Sequence, residues 1–374
     1  MKVILHIGPA KTGTTALQKA LYSAREKLVD FSVLYPDTLD KNDYNHGKLC
    51  ALFVPYGDAP RGLKKLSEAE YYDAGKSLQE RIKLDVQTIC PDILILSSEW
   101  LASAYDHQDA HKFSDFIDSL MPDSIEVLLY ARRPSNFFLS ASQQRLRASH
   151  QFKPIFHWRL NEIIAGFQKL FASHTISVRL FERPALVGLN IVSDFAETYI
   201  PECRTILENV QESTEVNESF SAEAMAVLQN FRRVHFADQE DVFNGKTRKL
   251  MRVLKRMDAK DDRKKPTLTA EWRDFFDYGN DQALRLHHLH HITFSDFDYP
   301  RLASGQFAPK PEKCRDVADF VDIDQDRLAT MITRLANSPW SPNRSGSKWL
   351  LSLPNNLLGG QLCQFPLWRR LIAC

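Results

Sequence analysis

The residues with the most chemistry in them stand almost at the start of the chain. They are Gly8, Pro9, Ala10, Lys11, Thr12, Gly13, Thr14 and Thr15, within "VILHIGPAKTGTTALQKAL". An apolar run ends at Ile7, two glycines bound a short loop, and a helical pattern follows. Gly8 and Gly13 allow backbone angles that other residues resist. The loop amides and the start of the next helix face one point, where free N–H groups and the helix dipole favour an anion. The threonine hydroxyls add donors, and Lys11 adds a full positive charge. The glycine spacing is that of a nucleotide phosphate loop, in which a lysine directly follows the second glycine. Here Thr14 takes that place, and Lys11 lies inside the loop. A Mg-dependent triphosphatase needs the missing lysine, a Ser or Thr on Mg²⁺ and a carboxylate from another strand end. No convincing acidic partner of that kind stands out. An ordinary strand–helix turn is the plainer reading, but it does not account for all of GxxKxGTT.

A second stretch, "EVLLYARRPSNFFLSASQQRLRA", has the same logic. A strand pattern ends at Ala131, Arg132 and Arg133 follow, and Pro134 opens a helix. Ser140 lies eight residues after Arg132, on that helix. Two further positions suit proton transfer. Glu99 follows the apolar run "DILILSSE", with Ser97 and Ser98 beside it. His46 sits in "NDYNHGKL", on the connection after the second predicted strand, where loops often cover a site. The plainer readings are a helix N-terminal carboxylate for Glu99 and a loop or helix-cap histidine for His46.

The two basic motifs together resemble those of the sulfotransferase superfamily. These enzymes take a sulfonate group from 3′-phosphoadenosine 5′-phosphosulfate (PAPS), leave 3′-phosphoadenosine 5′-phosphate (PAP) and need no metal. The resemblance implies that the loop 9–15 holds the 5′-phosphosulfate, with Lys11 helping the phosphate depart. It implies that Arg132 and Ser140 bind the donor's 3′-phosphate. Arg133 and Ser142 stand where the family often has Asn or Asp and Tyr, and neither change removes a phosphate ligand. A basic, Gly-containing loop late in such domains often covers the 3′-phosphate; Gly245, Lys246 and Arg248 match it loosely. Members use either Glu or His as the base, so both Glu99 and His46 stay candidates, Glu99 first. Weaker likeness in "YPDTLDKNDYNHG", "ILSSEWLA", "RLFERPALVGLNIVSDF" and "NESFSAEAMAVL" is to bacterial carbohydrate sulfotransferases and to the heparan N-sulfotransferase domain. The implied acceptor is a hydroxyl or amine of a carbohydrate or glycoconjugate. The rival readings are a Mg·ATP-dependent P-loop kinase or NTPase and a catalytically silent nucleotide-binding module.

The elements that must position these residues follow from hydrophobic pattern. Short apolar runs at 3–7, 31–35, 92–97, 125–131 and 175–181 show little alternation, as expected of strands buried on both faces. Helical patterns at 14–28, 66–89, 108–120, 135–149 and 158–172 lie between them. In the first, Ala16, Leu17, Ala20, Leu21, Ala24 and Leu28 form the apolar stripe. Alternation of this kind predicts an α/β fold, three-layer α/β/α with a central parallel sheet, P-loop NTPase-like, with helical C-terminal additions. Both basic motifs then fall at carboxyl ends of strands, where open sheets bind ligands. Helices are expected at "NIVSDFAETY", at "NESFSAEAMAVLQNFRRV" with Ser219 or Ser221 as N-cap, and over 269–290. We expect a sulfotransferase-like domain over 1–300 and an extension of unknown role over 301–374, ending in the apolar "PLWRRLIAC".

Composition sets limits on the rest. The chain has 374 residues, 44% hydrophobic, with 48 Lys plus Arg against 47 Asp plus Glu. A near-neutral balance gives no general support for nucleic-acid binding, so an anion site must be local. The absence of an apolar run of about 18 residues argues against a membrane span, and no signal peptide is visible at the start. With six cysteines and no CxxC pair, the expectation is reduced thiols and a cytoplasmic protein. His287 and His291 have i, i+4 spacing but no matching carboxylate or Cys cluster, so no metal is expected. Lys246, Lys249, Arg252 and Arg256 fall near one helical face. That face is either solvated or the edge of an anion groove.

Overall fold

The structure, a computed structural model, describes residues 1–40, 43–152, 158–212, 219–260 and 264–337. The apolar end at 366–374 lies outside the described residues. Two compact units interleave along the chain, one formed by Met1–Arg133, Arg159–Glu215 and Gln282–Asp298, the other by Pro134–Trp158, Val216–Asp281 and the residues from Tyr299 on. Each is described by itself.

The first unit is α/β. Its sheet has strands β1 (Lys2–His6), β2 (Val33–Leu34), β3 (Ile93–Ser97), β4 (Ser124–Ala131) and β5 (Thr175–Leu180), in the order β2-β3-β1-β4-β5. Every pairing is parallel, with Lys2 beside Ile93 on one flank of β1 and beside Ser124 on the other. The central position of β1 explains its composition: Val3, Ile4 and Leu5 are completely buried, as are Leu94, Ile95 and Leu96 of β3. A strand covered on both faces has no polar face to alternate with. All five expected strands are present; the second is the shortest, because Phe31 ends a 3₁₀ turn and Ser32 turns left-handed before Val33.

Helices α1 (Thr14–Leu28), α2 (Glu68–Ile89) and α3 (Ala110–Asp118) belong to this unit, and α4 (Pro134–Leu146) to the second. In the first unit again are α5 (Leu160–Leu170), α6 (Ile191–Tyr199) and α7 (Arg204–Glu212). One core cluster joins α1, through Leu17, Leu21 and Leu28, to Ile4, Ile95, Leu128 and Tyr130 of the sheet and to Ile191, Val192 and Phe195 of α6. The α1 stripe departs from expectation at both ends of its first turn: Ala16 is exposed, and Gln18 is buried in its stead. Ser67 starts α2 with a full capping box to Glu70, which explains why the helix begins there rather than at 66.

The second unit is helical. Around α4 lie α8 (Ala222–His235), α9 (Gly245–Lys260), α10 (Ala270–Tyr278) and a helix at Gln325–Ala336. Phe138 of α4 stacks on Phe276 within a core that includes Leu146, Met225, Phe231, Leu254, Trp272 and Phe320. Ser221 is the N-cap of α8, accepting from the Ala224 amide at 3.1 Å. The helical pattern over 269–290 breaks at Gly279, leaving α10 and a separate helix at Gln282–His290 that belongs to the first unit.

Candidate active site

The loop between β1 and α1 is bent by three left-handed residues: Gly8 at φ 94°, Lys11 at 71° and Gly13 at 79°. The glycines are required by space as well as by angle. A Cβ on Gly8 would lie 3.1 Å from both Cα and Cβ of Glu99, so the loop backbone presses directly on that residue. A Cβ on Gly13 would lie 3.0 Å from Ile191 Cγ2. Thr12 is buried, and its hydroxyl donates to the Pro9 carbonyl at 2.6 Å, closing the loop on itself. Thr14 is also buried, whereas Ala10 and Thr15 are exposed and Pro9, Lys11 and Gly13 are half-buried.

Gly13 is the N-cap of α1, with no side-chain cap and no acidic residue in the first turn. Within that turn the Ala16 and Leu17 amides donate to the Gly13 carbonyl at 2.9 and 3.2 Å, while the Thr14 and Thr15 amides come too early to meet a carbonyl inside the helix. A positive helix end without a capping oxygen or neighbouring carboxylate of its own suits an anion from outside.

Strand β4 holds this loop. The Tyr130 amide donates to the Gly8 carbonyl at 3.0 Å, and Arg132 Nη1 donates to the Lys11 carbonyl at 2.5 Å. The Arg132 guanidinium lies over the Phe181 ring at 5.7 Å. Burial draws its pKa down to about 10. A desolvated cation gains from an incoming anion. The structure thus brings Lys11 and Arg132 to one loop.

Ser140 lies half-buried on α4 of the second unit. The N-terminus of α4 is already met by a carboxylate: the Ser135 amide and hydroxyl donate to Asp277 at 3.0 Å each. Gly245, Lys246 and Arg248 do not form a loop. They make the first turn of α9, are exposed, and follow Asn244, whose side chain accepts from the Thr247 amide at 2.8 Å. The loop expected there is a capped helix start because Asn244 supplies the cap the sequence reading overlooked. Lys249, Arg252 and Arg256 on the same helix are exposed.

The carboxylate candidate has a built setting. Strand β3 stops at Ser97, and Glu99 opens a 3₁₀ helix (Glu99–Asp106) that Ser98 caps through the Trp100 amide at 3.2 Å. Glu99 Oε2 accepts from Gln18 Nε2 at 3.2 Å. The same Gln18 nitrogen lies 3.3 Å from Ser97 Oγ, and Ser97 Oγ lies 2.7 Å from His6 Nδ1. Gln18, Ser97 and His6 are all buried.

His46 is in a different situation from the one expected. It is completely buried, and both ring nitrogens are engaged with backbone. Its Nδ1 accepts from the Ser97 amide at 3.0 Å, so Nε2 carries the proton and donates to the Pro36 carbonyl at 3.0 Å. Its own amide donates to the Ser97 carbonyl at 2.9 Å. Burial pushes its pKa down to about 4. With the one lone pair used by an amide, the ring holds the end of β3 and has none left for a substrate proton.

No family model, no curated protein and no solved structure matches this chain.

A cavity of about 350 Å³ is lined among others by Asp40, Asp43, Lys48, Lys65, Glu70 and by Trp100, the residue after Glu99. The Trp100 ring is seated by two glycines. A Cβ on Gly47 would lie 2.4 Å from it and a Cβ on Gly62 3.0 Å. Sequence reading missed Trp100 and Gln18. Gln18 stands between Leu17 and Lys19, so the sequence alone does not mark it as buried. Among the described residues no helix is long and apolar enough to cross a membrane, and no group of three or more His, Cys, Asp or Glu gathers where a metal could sit.

Proposed function

We propose that this chain is a PAPS-dependent sulfotransferase of P-loop-like, three-layer α/β/α fold. In this reading it transfers a sulfonate group to a hydroxyl or amine of a carbohydrate or glycoconjugate. One observation carries the reading: a lysine inside a strand–helix loop, not after it, with an uncapped helix start on one side and the half-buried Arg132 bound to that loop on the other. The parallel order β2-β3-β1-β4-β5 adds support, since it puts the loop and Arg132 at the ends of adjacent strands in the middle of the sheet.

The donor supplies the sulfonate and its own leaving phosphate when bound. The transfer is an in-line displacement: the bond from the acceptor oxygen to sulfur forms as the bond from the phosphate oxygen to sulfur breaks. Lys11 and the amides and hydroxyls of Thr14 and Thr15 meet the negative charge that grows on the leaving oxygen; the Thr12 hydroxyl stays on the Pro9 carbonyl and shapes the loop. Arg132 serves a phosphate that does not react, and so supplies binding rather than rate. Glu99 takes the acceptor proton as attack proceeds. His46 is assigned to support: it ties the end of β3 in place. The reading puts the acceptor against Trp100, whose indole and surrounding carboxylates and ammonium groups suit a polyhydroxylated ring.

The test is transfer of label from ³⁵S-PAPS, in EDTA, to a panel of oligosaccharides and amino sugars. Label should move to a carbohydrate with the native chain, and Glu99→Gln should lower the rate by about 10²–10⁴. Hydrolysis of Mg·ATP with no use of PAPS would support the kinase or NTPase instead.

A further inference from the structure

A carboxylate can act as a base only if the lone pair that takes the proton faces the acceptor. Most exposed glutamates sample many rotamers. Glu99 is half-buried, starts a 3₁₀ helix and has Gly8 pressed against its Cα and Cβ. Those contacts fix where the side chain begins and not where its carboxylate ends. Among the described residues, the side chain that holds that end by a hydrogen bond is Gln18.

The identity of the Gln18 amide atoms follows from chemistry. Glu99 offers acceptors only, so the group 3.2 Å from its Oε2 is the amide nitrogen. That nitrogen has two hydrogens, and Ser97 Oγ at 3.3 Å receives the other. Gln18 is thus a fork with one hydrogen on the carboxylate and one on a hydroxyl. The hydroxyl is itself immobile. Ser97 Oγ is bonded to His6, and the Ser97 backbone is held by both His46 contacts. Gln18, Ser97, His6 and His46 are buried, so water does not compete at the hydroxyl end of the fork.

Burying an amide in the apolar face of a helix has a cost, offset only when its donors are satisfied. A leucine at position 18 would extend the stripe of Leu17 and Leu21 without it. A glutamine there makes sense if the orientation of the carboxylate is what it secures.

We propose that Gln18 is a positioning residue for Glu99. It turns Oε2 inward so that Oε1 faces the acceptor, and it transmits the rigidity of the His46–Ser97 anchor to the base. The proposal rests on Glu99 being the base of the sulfotransferase reading.

A double-mutant cycle on the full chain separates the two ideas. The variants are Gln18→Met, Glu99→Gln and both together, assayed with ³⁵S-PAPS and the acceptor found in the panel, with PAP affinity measured by calorimetry. Gln18→Met should lower kcat by roughly 10- to 100-fold, the scale of a misplaced catalytic group. The KM for PAPS and the affinity for PAP should stay within about twofold. In the Glu99→Gln background, Gln18→Met should change nothing further. A loss of the same size in both backgrounds would overturn the positioning role, as would unchanged kcat or a loss expressed in the PAPS KM. If Glu99→Gln itself remains active, the base assignment fails instead. Gln18→Glu gives a second variant of near-native shape. It replaces the donor by an acceptor and should lose kcat in the same way, and native kcat in that variant would equally overturn the role.

Discussion

Lys11 and Arg132 are cations that meet at one loop, and on the sulfotransferase reading they are expected to fail in different ways. In that reading Arg132 serves a phosphate whose charge does not change during reaction, so Arg132→Ala should raise the KM for PAPS and leave kcat nearly intact. Lys11 meets charge that develops as the bond breaks, so Lys11→Ala should lower kcat by roughly 10²–10³, the scale for one lost stabiliser of developing charge. Steady-state kinetics with varied PAPS separates them; an effect of Lys11→Ala on KM alone would remove its leaving-group role. The histidines make a different statement, about stability. Burial holds His6 and His46 near pKa 4 in the folded chain, against about 6.5 when unfolded. The unfolded chain therefore binds more protons between those values, and stability falls as pH drops from about 6.5 toward 4. The loss should be on the order of a few kcal/mol across that window. Urea midpoints at successive pH values should show it, with a shallower fall in His46→Gln. An equally steep fall in that variant would contradict the buried neutral ring. At this scale the loop residues were legible because Gly, Lys and Thr each have a stated job at a fixed spacing. His46 was not: a sequence shows that an imidazole is near a strand end, but not that two backbone groups claim both nitrogens.

The elements were legible where one pattern dominated. The five apolar runs became five parallel strands, and α1, α2 and α4 begin within two residues of their expected starts. Misreadings came where a side chain overrode the local pattern, as when Asn244 turned the expected loop at Gly245–Arg248 into a helix start. Long-range polar locks were also hidden. Asp194 of α6 is completely buried and accepts from Tyr130 Oη at 2.9 Å, from Arg179 at 2.8 Å through two nitrogens and from the Val187 amide at 3.1 Å. It ties β4, β5 and α6 together beneath the strand ends that carry Arg132 and the loop. Asp194→Ala leaves Arg179 and Tyr130 without that partner and should cost the first unit about 3 kcal/mol, the lower end for breaking a buried pair, since Arg179 is partly exposed. Chemical denaturation followed in that unit checks this; a cost under about 1 kcal/mol would mean that water replaces the carboxylate.

The molecule as a whole is nearly neutral, so in the proposed reading the pull on an anionic donor comes from a few local groups: a helix end, a loop lysine and a half-buried arginine. The division into two units was not legible, because residues 134–152 continue the β4–helix pattern without a break in composition yet belong to the second core. The most direct measurement of the central claim is PAP binding by calorimetry and thermal shift, in EDTA, against Mg·ATP and against the Lys11→Ala and Arg132→Ala variants. PAP should bind without metal and stabilise the fold by about 2.7 kcal/mol at one hundred times its dissociation constant, with weaker binding in Arg132→Ala. An unchanged melting temperature at millimolar PAP, with stabilisation by Mg·ATP, would contradict it.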